Sequence, residues 1–141
     1  MNIGVLKQPY LDNLTGEQHP DAVWYPQSDL RDNKAMQTGL VWYCYLDAGH
    51  LTDGHAPVGQ HATQVTRPLM LSAAQQPITV PTTQQEATFR LYLYMAKAVA
   101  DTPGVNADGT PLLDANNQPV LVSFFASATP LMVTVPDTWG A

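Results

Sequence analysis

A single cysteine, Cys44, stands in the 141 residues, so no disulfide can close within the chain, and folding in a reducing cytoplasm is expected. Charge is scarce as well. Acidic and basic residues make up 13% of the sequence, with 12 acids against 6 bases, a net charge of -6 and a pI near 4.8. So few bases exclude a protein that grips phosphate backbones, and no nucleic-acid partner is expected. No apolar run is long enough to span a bilayer, which argues against a membrane partner. Residues 1–9 lack the apolar stretch and small-residue cleavage site of a signal peptide. Also absent are G-x-S-x-G, the P-loop and G-x-G-x-x-G, and with them the familiar starting points for catalysis. A non-enzymatic protein without a cofactor is expected.

What is present is a chain with 45% hydrophobic residues, long enough for one domain over residues 1–141 with a substantial core. Its 12 prolines and 9 glycines fall between apolar stretches, marking short elements joined by turns. Residues 22–25 read as a short strand stopped by Pro26, and residues 27–37 as a polar connection. Residues 39–46 give the strongest strand, with Val41, Tyr43 and Tyr45 on one face and Leu40, Trp42, Cys44 and Leu46 on the other. Both faces are apolar, so this strand is central in the fold or covered by another chain. Thr83 and Glu86 have capping-box spacing, and Ala87, Leu91, Tyr94, Met95, Ala98 and Val99 follow at helical intervals. A helix over about residues 83–101 is expected, although residues 89–94 alone also alternate like a strand. Asp108-Gly109 and Asn116-Asn117 mark turns, and residues 119–125 read as a second long strand. The sum is an α+β, β-rich fold: an antiparallel sheet or sandwich with one main helix. Pro68-Leu69-Met70 before residues 78–83 echoes Pro130-Leu131-Met132 before residues 133–138. The intervals differ, and two strands that end at proline explain the echo.

Three histidines, His50, His55 and His61, with Asp47 and Asp53, are the ingredients of a metal site. The spacing matches no zinc-binding helix, and Gly49, Gly54, Pro57 and Gly59 interrupt it. A polar loop with hydrogen-bonded histidines is the ordinary account, so no metal site is assigned. Residues 104–109 resemble the start of a calcium loop but lack its acids at the first and twelfth positions. Cys44, mid-strand among aromatics, reads as a small buried hydrophobe.

The aromatics carry more. Tyr and Trp join a large apolar body to a hydrogen-bonding tip and are enriched at interfaces, which makes Trp24, Trp42, Tyr43, Tyr45 and Trp139 the candidate interface residues. Trp139, beyond Pro136 where a lone chain end frays, is expected to be held by a neighbouring chain. The run Tyr10-Leu11-Asp12-Asn13-Leu14-Thr15-Gly16 leads to His19-Pro20-Asp21-Ala22-Val23-Trp24. Strand residues 41–46, the turn Asp53-Gly54-His55-Ala56-Pro57-Val58 and the aromatic helix over residues 91–99 follow in order. In this style the chain resembles the small structural proteins of tailed bacteriophages. The resemblance implies a non-enzymatic virion protein, made in the bacterial cytoplasm, that assembles with copies of itself and with neighbouring tail, baseplate or capsid proteins. Two other functions are open: a carbohydrate-binding module stacking sugars on an exposed Trp24 or Trp42, and a small metal-dependent enzyme using the His50, His55 and His61 loop.

Overall fold

Alternating apolar and β-branched side chains draw the chain into one antiparallel sheet, seen in a computed structural model that describes residues 2–12, 14–66, 84–136 and 139. In chain order come β1 (Asn2–Lys7), the small hairpin of β2 (Tyr10–Leu11) and β3 (Gln18–His19), β4 (Val23–Asp32) and β5 (Gln37–Tyr45). The short helix α1 (Ala48–Thr52), β6 (Gly59–Thr66) and the main helix α2 (Gln84–Ala98) follow. The pair β7 (Thr102–Pro103) and β8 (Leu121–Val122) precedes the last strand, β9 (Thr129–Thr134). Five strands form the main sheet in the order β6-β5-β4-β1-β9, each antiparallel to its neighbours. The fold is α+β and β-rich, as the alternation and the helical stretch predict.

The two apolar faces of β5 are both covered by the chain itself. On one side Leu40, Trp42 and Cys44 join Leu6, Trp24 and Val65 beneath Leu93, Met95 and Ala96 of α2 and beneath Phe125. On the other, Tyr45 joins Ile3, Val5, Val23, Val133 and Val135, with Leu51 of α1 laid over them. Each such side chain contributes about 1.5–3 kcal/mol when fully buried, so two-sided coverage makes β5 the axis of the core.

Three expectations need correction. Pro26 does not stop a strand: β4 runs on to Asp32, and residues 27–37 are the far end of a β4–β5 hairpin. Proline is tolerated because β1 pairs with β4 only at Val23 and Trp24, which leaves that edge open at Pro26, and the register shifts between Pro26 and Ser28. At the hairpin tip Asp32 Oδ1 accepts from the backbone N–H groups of Lys34 and Ala35, each at 3.0 Å. Residues 119–125 are not one long strand. Only Leu121–Val122 pairs as a strand, because the Ser123 hydroxyl donates to the Ala96 carbonyl at 2.8 Å and accepts from the Phe125 N–H at 3.1 Å, turning the chain under α2. The helix is where expected but ends at Ala98, and its buried face is rotated: Leu93, Met95 and Ala96 are buried while Tyr94 and Ala98 lie outward. Thr83 of the expected capping box and residues 68–83 of the echo lie outside the described residues.

A short repeat occupies the arm between α2 and β9. Pro103-Gly104-Val105-Asn106-Ala107-Asp108-Gly109-Thr110 is followed in register by Pro111-Leu112-Leu113-Asp114-Ala115-Asn116-Asn117-Gln118 and then Pro119-Val120-Leu121. The residue after each proline closes a ring of three backbone hydrogen bonds. Gly104 N–H donates to Val120 O at 2.8 Å, Val120 N–H to Leu112 O at 3.0 Å, and Leu112 N–H to Gly104 O at 2.9 Å. A Cβ on Gly104 would stand 3.1 Å from Leu112 Cδ2 and 3.2 Å from Val120 O, so the smallest residue sits where the segments are closest. Both intervening tips turn at a positive φ, +86° at Gly109 and +57° at Asn117, the residues that tolerate it best.

Candidate functional site

Trp24 and Trp42 are interior residues, 1% and 0% exposed. Trp24 meets Phe124 and Phe125 edge-on at 5.2 and 5.6 Å and donates its indole N–H to the Gln8 carbonyl at 3.2 Å. Trp42 lies 4.9 Å from Phe125. Neither ring offers a face to a sugar or to a neighbouring chain in this fold, which corrects their reading as surface aromatics. Both have alternating positions in strands whose two sides are apolar, and only the tertiary fold distinguishes a covered face from an open one.

The other three candidates lie on the opposite face of the sheet, where β4 and β5 meet α1. Tyr25 and Gln27 of β4, with Tyr45 of β5, form one wall of a cleft of about 580 Å³. Leu51 of α1 and His55 and Pro57 of the following loop form another, and Trp139 closes the end. Trp139 is half-buried, with its ring 6.1 Å from that of Tyr25 at a tilt of 54°. Its backbone N–H donates to the Pro136 carbonyl at 3.1 Å, so within the chain it is tied to its own strand end and, through the ring, to β4. Tyr45 donates its phenol proton to Gln27 Oε1 at 2.6 Å. Burial first, and then the neighbouring Tyr45 phenol, raises the pKa of Tyr25; burial and then Tyr43 do the same for Tyr45. Both remain neutral hydroxyls across the physiological range. Tyr43 is half-buried and packs on the same cluster.

The three histidines do not share a site. His50 and His55 belong to α1 and its loop, with ring centroids 4.7 Å apart. His61 pairs with Trp42 across β5 and β6, which sends it to the other face of the sheet. There it stacks on Phe124 at 4.0 Å and hydrogen-bonds Asp101 at 3.2 Å, clasping the base of the arm. No three His, Cys, Asp or Glu side chains converge on one point among the described residues. Asp47 is instead the N-cap of α1, accepting from the His50 N–H and meeting His50 Nδ1, both at 2.8 Å.

The His50 side-chain bond, then its backbone bond, hold the Asp47 carboxyl below its ordinary pKa. A carboxylate whose pKa is lowered by folding stabilises the fold above its unfolded pKa, near 4, and loses that contribution as the pH falls through the lower folded value. Asp47→Ala is therefore expected to lower the melting temperature at neutral pH. The gap between variant and parent should close in acid, and thermal melts across the acid range measure it.

Exposed large apolar side chains lie at several places outside the cleft, among them Leu11 and Leu14 at the β2–β3 hairpin, 53% and 98% exposed. At the third position of each unit of the arm repeat stand Val105, Leu113 and Leu121, 68%, 46% and 51% exposed. On β9, the last strand of the sheet among the described residues, Leu131 and Met132 are 40% and 39% exposed. Between β9 and α2 lies a groove of about 380 Å³ lined by Leu93, Tyr94, Ala98 and Pro130, with Lys97 at its margin. Lys97 is anchored, donating its ammonium to the Ala128 carbonyl at 2.8 Å. The turn composition marked the arm and its eight-residue spacing was readable, but its exposed apolar positions follow only from the hydrogen-bonded ring. No described helix is long and apolar enough to cross a membrane. Comparison of the chain with protein-family models, with curated proteins and with solved structures finds no match in any of the three.

Proposed function

We propose that the protein is a non-enzymatic structural subunit of a tailed-bacteriophage virion, associating with copies of itself and with neighbouring tail, baseplate or capsid proteins. The observation that carries the assembly role is the exposed apolar set Val105, Leu113 and Leu121, one from each unit of the arm. Apolar side chains left this exposed at the same position of three successive units contribute little to the core of the subunit that bears them, and exposed apolar surface of this kind suits contact with another chain. Low charge is consistent with this role, since copies with a net charge of -6 repel one another only modestly. The placement in a phage rests on the style of sequence described above. Trp24 and Trp42 have no part in this contact; of the aromatic candidates, Tyr43 and Trp139 are the partly exposed ones.

Native mass spectrometry of the purified protein is expected to show a defined oligomer. Val105→Asp, Leu113→Asp and Leu121→Asp together should dissociate it, while circular dichroism stays that of the parent. A stable monomer at high concentration that is also absent from phage particles would overturn the proposal.

A further inference from the structure

We propose that the cleft between β4, α1 and Trp139 binds a neutral saccharide, a function separate from assembly. The described lining residues include no Asp, Glu, Lys or Arg, so an anionic or cationic ligand would find no counter-charge there. Its volume, about 580 Å³, is within the range of small-ligand sites. Sugars present two chemistries at once: C–H faces that pack on aromatic rings, and hydroxyls that both donate and accept. The half-buried Trp139 ring supplies the first, with Tyr25 tilted beside it at 54°.

The second comes from a pair of neutral side chains. Tyr45 gives its only proton to Gln27 Oε1 at 2.6 Å, so its oxygen can only accept from a ligand while the Gln27 amide nitrogen is a donor. Acceptor and donor side by side match the hydroxyl edge of a pyranose. The bond between them orients both groups before the ligand arrives, which reduces the ordering cost of binding. His55, exposed at the rim, adds a group able to donate or accept. Leu51 and Pro57 add apolar lining to the cleft.

The test is a titration of 15N-labelled protein with maltose, cellobiose, lactose and N-acetylchitobiose, followed through the tryptophan indole cross-peaks. Three tryptophans give three indole signals, and two of them report the buried core. At least one disaccharide is expected to move the Trp139 signal while those of Trp24 and Trp42 stay in place. By isothermal titration calorimetry with the same disaccharides, which needs no indole reporter, Trp139→Ala should weaken binding at least about tenfold and Gln27→Ala about fivefold, the loss of one hydrogen bond. The unshifted Trp24 and Trp42 signals verify the fold of each variant. The proposal is overturned if no disaccharide moves the Trp139 signal, if Trp139→Ala binds as the parent does, or if an oligoproline peptide moves it and the sugars do not. The oligomer expected from native mass spectrometry does not depend on any of these outcomes, so the two proposals stand or fall separately.

Discussion

Phe125→Ala is expected to remove about 3–5 kcal/mol of folding stability, the range for emptying a buried aromatic site. Phe125 is fully buried and stands among four other rings: Trp24 at 5.6 Å, Trp42 at 4.9 Å, His61 at 5.7 Å and Phe124 at 5.0 Å. Such rings add edge-to-face and tilted contacts to the area they remove from water. The neighbours have little freedom to collapse into the space. Trp24 is tethered through its indole N–H to the Gln8 carbonyl, and Gln8 in turn donates from its amide to the Phe124 carbonyl at 2.9 Å. A cavity that cannot close falls at the upper end of the range. Since domains are stable by only about 5–15 kcal/mol, the melting temperature should drop by more than about 10 °C. Phe124→Ala, at a half-buried ring, serves as the comparison and should cost less. Thermal and urea unfolding of the two variants decide the point, and a Phe125→Ala protein within about 1 kcal/mol of the parent would show that this ring cluster is not the centre of the core.

Cys44 should resist thiol reagents in the native protein by a factor of about a thousand or more relative to the unfolded chain. Its side chain is fully buried in the middle of β5, and burial pushes the thiol pKa up to about 12. Two barriers therefore combine: the reactive thiolate is scarce at neutral pH, and no reagent reaches the sulfur while the sheet is closed. Labelling must wait for β5 to open, and openings of core strands occur with free energies approaching that of global unfolding. A chromogenic disulfide, added with and without denaturant, reads the ratio of rates directly. Reaction within the mixing time under native conditions would mean that the strand opens locally, contrary to its position between two packed clusters. The same assay on Phe125→Ala should show faster labelling, because both depend on the same layer.

The parts of the fold legible in the sequence are those decided by local pattern. Residues 39–46 alternate between two apolar sets, and Leu40, Trp42 and Cys44 are found in one cluster, Tyr43 and Tyr45 in the other. Turn chemistry was also readable at Gly109 and Asn117, where the backbone requires a positive φ. Less legible was anything set by a neighbour distant in sequence. Pro26 signals a strand end only if both edges of the strand are paired, and the divergence of β1 after Trp24 leaves one edge free. The face of α2 is displaced from the predicted stripe because the chain near Phe125 and Ala128 covers a second side of the helix, burying Leu93 and Ala96.

The candidate site has the weakest signature in the sequence. Trp139 stands out in the sequence as a candidate contact with another chain, whereas its place in the cleft, and the pairing of Gln27 and His55 with Tyr45, come from sheet pairing and α1, which bring them together from three parts of the chain. Likewise His50, His55 and His61 look like a cluster along the sequence. They are divided by the sheet, because a residue's place in a strand fixes which face it occupies.

The arm repeat separates its loop tips from the hub that holds them. Its ring of three backbone bonds uses only the residue after each proline, while the loop tips at residues 106–110 and 114–118 fasten themselves internally, Asn106 to Thr110 in one and Asp114 to Gln118 in the other. Each tip can thus change in sequence without disturbing its sibling or the hub that holds both. The same region can diversify its outward contacts by local substitution alone, and it offers a natural grafting point for displaying a foreign peptide.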